Sequence, residues 1–123
     1  MVTDVLVIGS GIAGLSYAIE LAERRKDLRI TIISKREVFE SNTRYAQGGI
    51  AVVQDFTADS FEKHIADTLS ASDGLADLRV VEKVVKQGPE RLEQLMKWGA
   101  EFDRIEEDAA LELGKEGGHN AHR

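Results

Sequence analysis

The chain opens on Asp4-Val5-Leu6-Val7-Ile8, where the apolar residues follow one another without a break and are mostly β-branched, and Gly9 ends the run. A short continuous apolar run of this kind suits a central strand covered on both faces. From residue 12 to residue 26 the period changes. Ile12, Leu15, Ile19 and Leu21-Ala22 share a helical stripe, while Glu20, Glu23, Arg24 and Lys26 stand off it. After Asp27-Leu28 the β-branched signature returns at Arg29-Ile30-Thr31-Ile32-Ile33. Strand, helix and strand within about 33 residues is the size of a βαβ unit, and its crossover makes the two strands parallel.

Residues 34–49 carry no sustained period, and Ile50-Ala51-Val52-Val53 reads as a third short strand. Beyond it the pattern is helical. Asp59 is the expected cap of a helix over 60–72, with Phe61, His64-Ile65 and Thr68-Leu69 on one face and Asp73-Gly74 as its stop. Asp77 caps a second helix over 78–87. Gly88-Pro89 then interrupts, because proline is welcome in the first turn of a helix but not inside one, so a new helix is expected over 89–98, ended by Gly99. Leu92, Leu95, Met96 and Trp98 form its apolar stripe, and Trp98 with Phe102 is expected to pack the helical segment against the sheet. Residues 100–123 hold neither period. The fold class is therefore α/β: a Rossmann-like βαβ unit of a parallel sheet followed by a helical segment. Two or three strands cannot bury a doubly wound sheet, which makes this an incomplete domain. Its expected parts are 1–56, the βαβ unit and the loop after it, 57–99, the helical segment, and 100–123, a loop.

The 123 residues are 42% hydrophobic and 31% charged, the balance of a globular protein. A net charge of -6, with 16 basic residues scattered among 22 acidic ones, argues against a phosphate-neutralising nucleic-acid binder. Without cysteine there is no disulfide, no thiolate nucleophile and no sulfur-ligated zinc. Asp4 stands where a secretory leader would be basic, and no window approaches the ~20 apolar residues of a membrane span. The cytoplasm is the expected location.

The chemistry begins at Gly9-Ser10-Gly11-Ile12-Ala13-Gly14, a G-x-G-x-x-G string set between strand and helix. The first glycine allows the sharp turn, the second lets main chain approach a pyrophosphate, and the third lets the helix pack closely on the sheet. Free N–H groups and the positive end of the helix dipole then face the anion. At the end of the second strand, where an acid commonly binds the ribose, the chain has Ser34-Lys35-Arg36. Two readings stay open on these residues: a flavin or NAD site using Ser34 and Lys35, or an NADP site in which Lys35 and Arg36 meet the 2′-phosphate.

Further on, Ser41-Asn42-Thr43-Arg44-Tyr45-Ala46-Gln47-Gly48-Gly49-Ile50-Ala51 resembles the flavin loop of the succinate dehydrogenase and fumarate reductase flavoprotein superfamily. Its Tyr-Ala-Gln-Gly-Gly-Ile-Ala form is similar to the L-aspartate oxidases in particular. Ser34-Lys35 fits the same family, and Gly114-Lys115-Glu116-Gly117-Gly118-His119 is similar to its Arg-Glu-Gly-Gly-His segment beside the substrate. The resemblance implies FAD held by Gly9, Ser10, Gly11, Ile12, Ala13, Gly14, Ser34, Lys35, Asn42, Thr43, Arg44, Tyr45, Ala46, Gln47, Gly48 and Gly49. Glycines and small residues let main chain lie against a flat ring, and N–H groups near it stabilise the charge it takes up with a hydride. Asn42 stands where quinone-linked members carry the histidine that anchors FAD covalently, and an amide cannot form that bond, so the expected FAD is non-covalent.

By the same resemblance Glu116 is the active-site glutamate, binding the substrate amino group or relaying its proton, and His119 lines the same pocket with Asn120 and His122. The implied activity is oxidation of L-aspartate to iminoaspartate, the first step of quinolinate and NAD synthesis, with oxygen or fumarate as acceptor and quinolinate synthase as a partner. The substrate-clamping arginines would lie beyond Arg123, so the chain alone is expected to be inactive. A fumarate reductase-like dehydrogenase and a noncatalytic NADP-binding module are the competing readings. No metal site is expected, since His64 is remote in sequence from His119 and His122. Glu106-Glu107-Asp108 reads as a solvated loop, and His64 as the edge of a helix face.

Overall fold

The computed structural model describes residues 2–46, 49–105 and 110–123. Gln47 and Gly48 of the expected cofactor set, and the acidic run at 106–108, lie outside the described residues. The chain divides into two compact units, Met1–Gly48 and Gly49–Arg123.

In the first unit, β1 (Val5–Ile8), α1 (Ile12–Arg24) and β2 (Ile30–Ile33) form the expected βαβ unit. The strands are parallel, in the register Val5↔Ile30 to Ile8↔Ile33. Asp4 fixes the start of that register: its carboxylate accepts from Arg29 N–H and from the Arg29 guanidinium at 2.9–3.0 Å. The α/β class is borne out. The strands are not covered on both faces, however. Val7 is buried beneath α1, whereas Leu6, Ile8 and Ile33 stay exposed, Ile8 at 80%. The stripe that α1 turns inward also differs from the expected one. Ala18 is its buried residue, while Ile12 and Ile19 are exposed. Helix and sheet approach most closely where side chains are smallest, and Gly14 and Ala18, four apart, share a face.

Within the expected irregular segment, Ser41 caps a short helix, α2 (Asn42–Tyr45), its hydroxyl accepting from Arg44 N–H.

The second unit is built on α3 (Phe61–Ala71) and α4 (Leu78–Lys97), which pack on each other around Ile65, Val81 and Val85, with Phe61, Leu69 and Ala76 against them. Ser60, not Asp59, caps α3 by accepting from Lys63 N–H. Asp77 caps α4 as expected, accepting from Arg79 and Val80 N–H. The turn out of α3 uses Asp73 at φ 49 and Gly74 at φ 83, and Gly99 at φ 96 follows α4.

Two expectations fail here. The run at 50–53 belongs to no strand, because no described strand offers it a ladder. Instead Val52 and Val53 are buried, and Val52 lies against α4 at Gly88, where a Cβ would come within 3.3 Å of its Cγ1. The break at Gly88-Pro89 is absent as well: α4 runs 20 residues through Pro89. Val81, Val85, Gly88 and Leu92 form one stripe buried on both sides of the proline, so continuous packing outweighs the lost hydrogen bond. Pro89→Ala restores that bond and is expected to stabilise the unit by about 1–3 kcal/mol, read as a higher urea midpoint. Trp98 and Phe102 are half-buried within this unit rather than fully enclosed. In the final stretch Arg104 and Leu111 form an antiparallel bridge.

Candidate functional site

The glycine turn is the first half of the site. Gly9 has φ +107, a conformation closed to residues with a Cβ, and its N–H donates to Ile33 O at 2.8 Å, tying the turn to the end of β2. Gly14 meets the turn from the helix side: a Cβ there would lie 2.3 Å from Gly9 O and 3.2 Å from Val7 Cγ1. Gly11 is the N-cap of α1 and brings no side-chain cap. The ladder of α1 begins with Leu15 N–H on Gly11 O at 3.0 Å, which leaves the amides before it turned toward the N-terminal end of the helix. Ser10 is buried, and Ile12 and Ala13 are exposed at the mouth. One of the early amides is taken. Ile12 N–H donates to Thr43 Oγ1 at 3.1 Å, and a Cβ on Gly11 would stand 3.4 Å from the same oxygen.

The second half gathers around the end of β2. Lys35, Arg36, Glu40, Ser41, Asn42 and Tyr45 line a cleft of about 280 Å³. Tyr45 Oη donates to Glu40 Oε2 at 3.0 Å, and Ser34 Oγ donates to Arg36 O, closing the turn after β2. Lys35, Arg36, Asn42 and Tyr45 are exposed, as are Thr43, Arg44 and Ala46. The structure thus joins two separate sequence motifs: Thr43 reaches the glycine turn, and Asn42 shares a cleft with Lys35. This arrangement fits a dinucleotide. A helix start without a Cβ at the approach has the chemistry to receive a pyrophosphate, and cations with hydroxyl and amide groups at the end of β2 have the chemistry to receive a sugar.

Gly49, Glu116 and His119 fall in the second unit. Glu116 is exposed on a turn closed by His119 N–H on Glu116 O at 3.1 Å, with Gly118 at φ +86. His122 Nδ1 lies 3.2 Å from Leu113 O.

Sequence reasoning missed a buried polar cluster behind that turn. Arg123 Nε and Nη2 bond both oxygens of Asp59 at 2.7 and 2.9 Å, and Nη1 bonds Asp67 Oδ2 at 2.9 Å. Asp67 also accepts from the main chain and side chain of Asn120. Burial pushes both carboxyls up. For Asp67 the Asn120 bonds and then Arg123 outweigh it, holding the group at about 2; for Asp59 the Arg123 guanidinium is the main opposing cause and leaves it below the ordinary range.

His64 is buried rather than at an edge; its ring meets His119 edge-on at 5.8 Å, and the Nδ1 atoms of both rings are buried without a hydrogen-bond partner among the described residues. Burial first, then Arg123 and His119, lower its pKa. An Asp-Ser pair before an amphipathic helix reads as a cap, and nothing local in the sequence couples it to an arginine 64 positions away. Among the described residues no group of three or more His, Cys, Asp or Glu could hold a metal ion, and no helix is long and apolar enough to cross a membrane.

Comparison with known proteins gives the family. Residues 4–123 match the family model described as FAD binding domain. The chain is 46% identical over 120 residues to the chloroplastic L-aspartate oxidase of Oryza sativa subsp. japonica, covering 98% of this chain and 18% of that protein. It is 43% identical over 120 residues to L-aspartate oxidase of Acinetobacter baylyi, covering 98% of this chain and 21% of the relative. Among solved structures, a variant of E. coli quinol fumarate reductase superposes with a TM-score of 0.88 at 36% identity, covering 98% of this chain and 20% of that one. The chain therefore spans about a fifth of the length of the relatives it matches. It belongs to the FAD binding domain family, whose cofactor is FAD and not NADP.

Proposed function

We propose that the protein takes part in the FAD-dependent oxidation of L-aspartate to iminoaspartate, the step that leads to quinolinate and NAD, with oxygen or fumarate as electron acceptor. The observation that carries the reading is the bond from Ile12 N–H to Thr43 Oγ1, which joins the glycine turn to the segment resembling a flavin loop. The 41–48% identity to L-aspartate oxidases over nearly the whole chain supports the choice of substrate.

In this reading Gly9, Ser10, Gly11, Ile12, Ala13 and Gly14 receive the pyrophosphate on the α1 amides, and Ser34 and Lys35 receive the ribose. Asn42, Thr43, Arg44, Tyr45, Ala46, Gln47, Gly48 and Gly49 hold the flavin ring. Bound there, FAD supplies the acceptor for the hydride that leaves the substrate Cα. Glu116 binds the substrate amino group or relays its proton, and His119 stands beside it. The reading includes a cytoplasmic location and quinolinate synthase as the enzyme that consumes the product.

Because Asn42 cannot attack the flavin methyl group, FAD is held without a covalent link. Acid precipitation of the purified holoprotein is expected to leave FAD in the supernatant. Flavin retained by the denatured polypeptide would overturn this assignment. A fumarate reductase-like activity is the second reading, favoured by the fold shared with quinol fumarate reductase at 36% identity. Anaerobic addition of L-aspartate separates the two: it bleaches the flavin absorbance of an aspartate enzyme and leaves that of a fumarate reductase unchanged.

A further inference from the structure

Glu116 lies in a stretch with little to hold it. Gly114, Gly117 and Gly118 surround it, its side chain is exposed, and the turn itself is closed by a main-chain bond from His119 N–H to Glu116 O. Yet a substrate-binding carboxylate needs a fixed position, since misplacement by about 1 Å can cost ~100-fold in rate. The required rigidity comes from outside the turn.

One stripe of α3 supplies it. His64, Asp67 and Ala71 stand at i, i+3 and i+7, on one helical face. Each meets a different residue of the last ten. His64 stacks edge-on with the His119 ring, Asp67 accepts from Asn120 N–H at 2.9 Å and from its side chain, and Ala71 Cβ would lie 3.5 Å from a Cβ on Gly118. A neighbouring face of the same helix, Phe61, Ile65 and Leu69, packs into the core with α4. Arg123 then closes the loop. Its N–H donates to Gly114 O at 2.9 Å, and its fully enclosed guanidinium bridges Asp67 to Asp59, the residue just before the Ser60 cap. The turn is thereby fastened at both ends to a helix that is itself anchored.

We infer that Asp67 and Arg123, with Asp59 and Asn120, are positioning residues that hold the turn carrying Glu116 and His119 against the α3 stripe. The inference rests on the proposed function for what Glu116 and His119 do, but not for how they are held. Guanidinium geometry matters here, because a fork satisfies two carboxylates where an ammonium satisfies one.

The test uses the full-length holoenzyme in five forms: unaltered, Asn120→Ala, Asp67→Asn, Arg123→Lys and Arg123→Gln. Amide hydrogen exchange at 114–119 is compared with that at Val81, Val85 and Leu92 of α4, alongside FAD content and the kcat and KM for L-aspartate. The expected result is faster exchange in the turn in every variant, with α4 unchanged in Asn120→Ala and accelerated less than the turn in the Asp67 and Arg123 variants, FAD content unchanged, and a KM raised roughly tenfold or more while kcat changes less. Arg123→Lys is expected to fall between the unaltered enzyme and Arg123→Gln, the partial rescue that a retained charge without the fork allows. Asn120→Ala removes one exposed amide and leaves the buried ion pairs, so it reports on the turn even where Arg123→Gln fails to fold. Unchanged exchange at 114–119 in all variants overturns the inference, and so does faster exchange with unaltered KM and kcat. If the unaltered enzyme does not oxidise L-aspartate, the proposed function fails while the exchange comparison still decides how the turn is held.

Discussion

Gly14→Ala is expected to weaken FAD binding by about 100-fold or more, the equivalent of ~3 kcal/mol. The reason is steric and lies in main chain. The added Cβ would stand 2.3 Å from Gly9 O, a distance that no side-chain rotation relieves, and 3.2 Å from Val7 Cγ1 in β1. Either α1 backs away from the sheet or the Gly9 turn unwinds, and both displace the α1 amides proposed to receive the pyrophosphate. Titration of the apoprotein with FAD, followed by flavin fluorescence, measures the loss. Gly49→Ala separates the contact from mere loss of glycine, since a Cβ there meets nothing within 4 Å. It is expected to leave stability unchanged, and it weakens FAD binding only if this residue lies against the flavin ring. Full affinity in Gly14→Ala would show that the close approach of helix and turn is not part of the cofactor site.

The contrast between these two glycines also marks what the sequence discloses. β1, α1 and β2 are legible because their information is local: β-branched runs, one change of period and a glycine string at the junction lie within 33 residues. The caps at Asp77 and the stop at Gly99 are legible for the same reason. What lies further apart is not. Val52 and Val53 have the composition of a strand, but a strand also needs a neighbour, and their burial comes from α4 instead. Pro89 reads as a break by local rules, and the stripe that overrides it spans Val81 to Leu92. In the site, the glycine turn and Lys35 are apparent from spacing, while the link from Thr43 to Ile12 crosses 31 positions and appears only in the fold. The Asp59, Asp67 and Arg123 cluster is less legible still, because polar residues 56 and 64 positions apart carry no periodicity.

That cluster makes the second unit sensitive to acid, and Arg123→Met is expected to cost about 3–5 kcal/mol at pH 7, because it strands two buried carboxylates without their cation. In the unaltered protein Asp67 titrates at about 2 against an ordinary 3.8, so its contribution is complete above 3.8 and is lost as pH falls toward 2. Asp59 is depressed in the same direction and acts in the same sense. His64 adds a second window. Its folded pKa is lowered from 6.5, so the unfolded chain binds a proton that the folded chain refuses, and stability declines as pH falls below 6.5. Urea midpoints taken at pH 7, 5 and 3 are therefore expected to fall at each step. In Arg123→Met the burial of Asp59 acts without its main counterweight and that of Asp67 is opposed by the Asn120 bonds without the guanidinium, so both carboxyls become easier to protonate in the folded state than they are in the unaltered protein. The deficit relative to the unaltered protein is then expected to shrink between pH 7 and pH 3, because protonation removes the stranded charge. A constant deficit across that range would mean that Arg123 stabilises the unit through packing of its side chain and not through the two carboxylates.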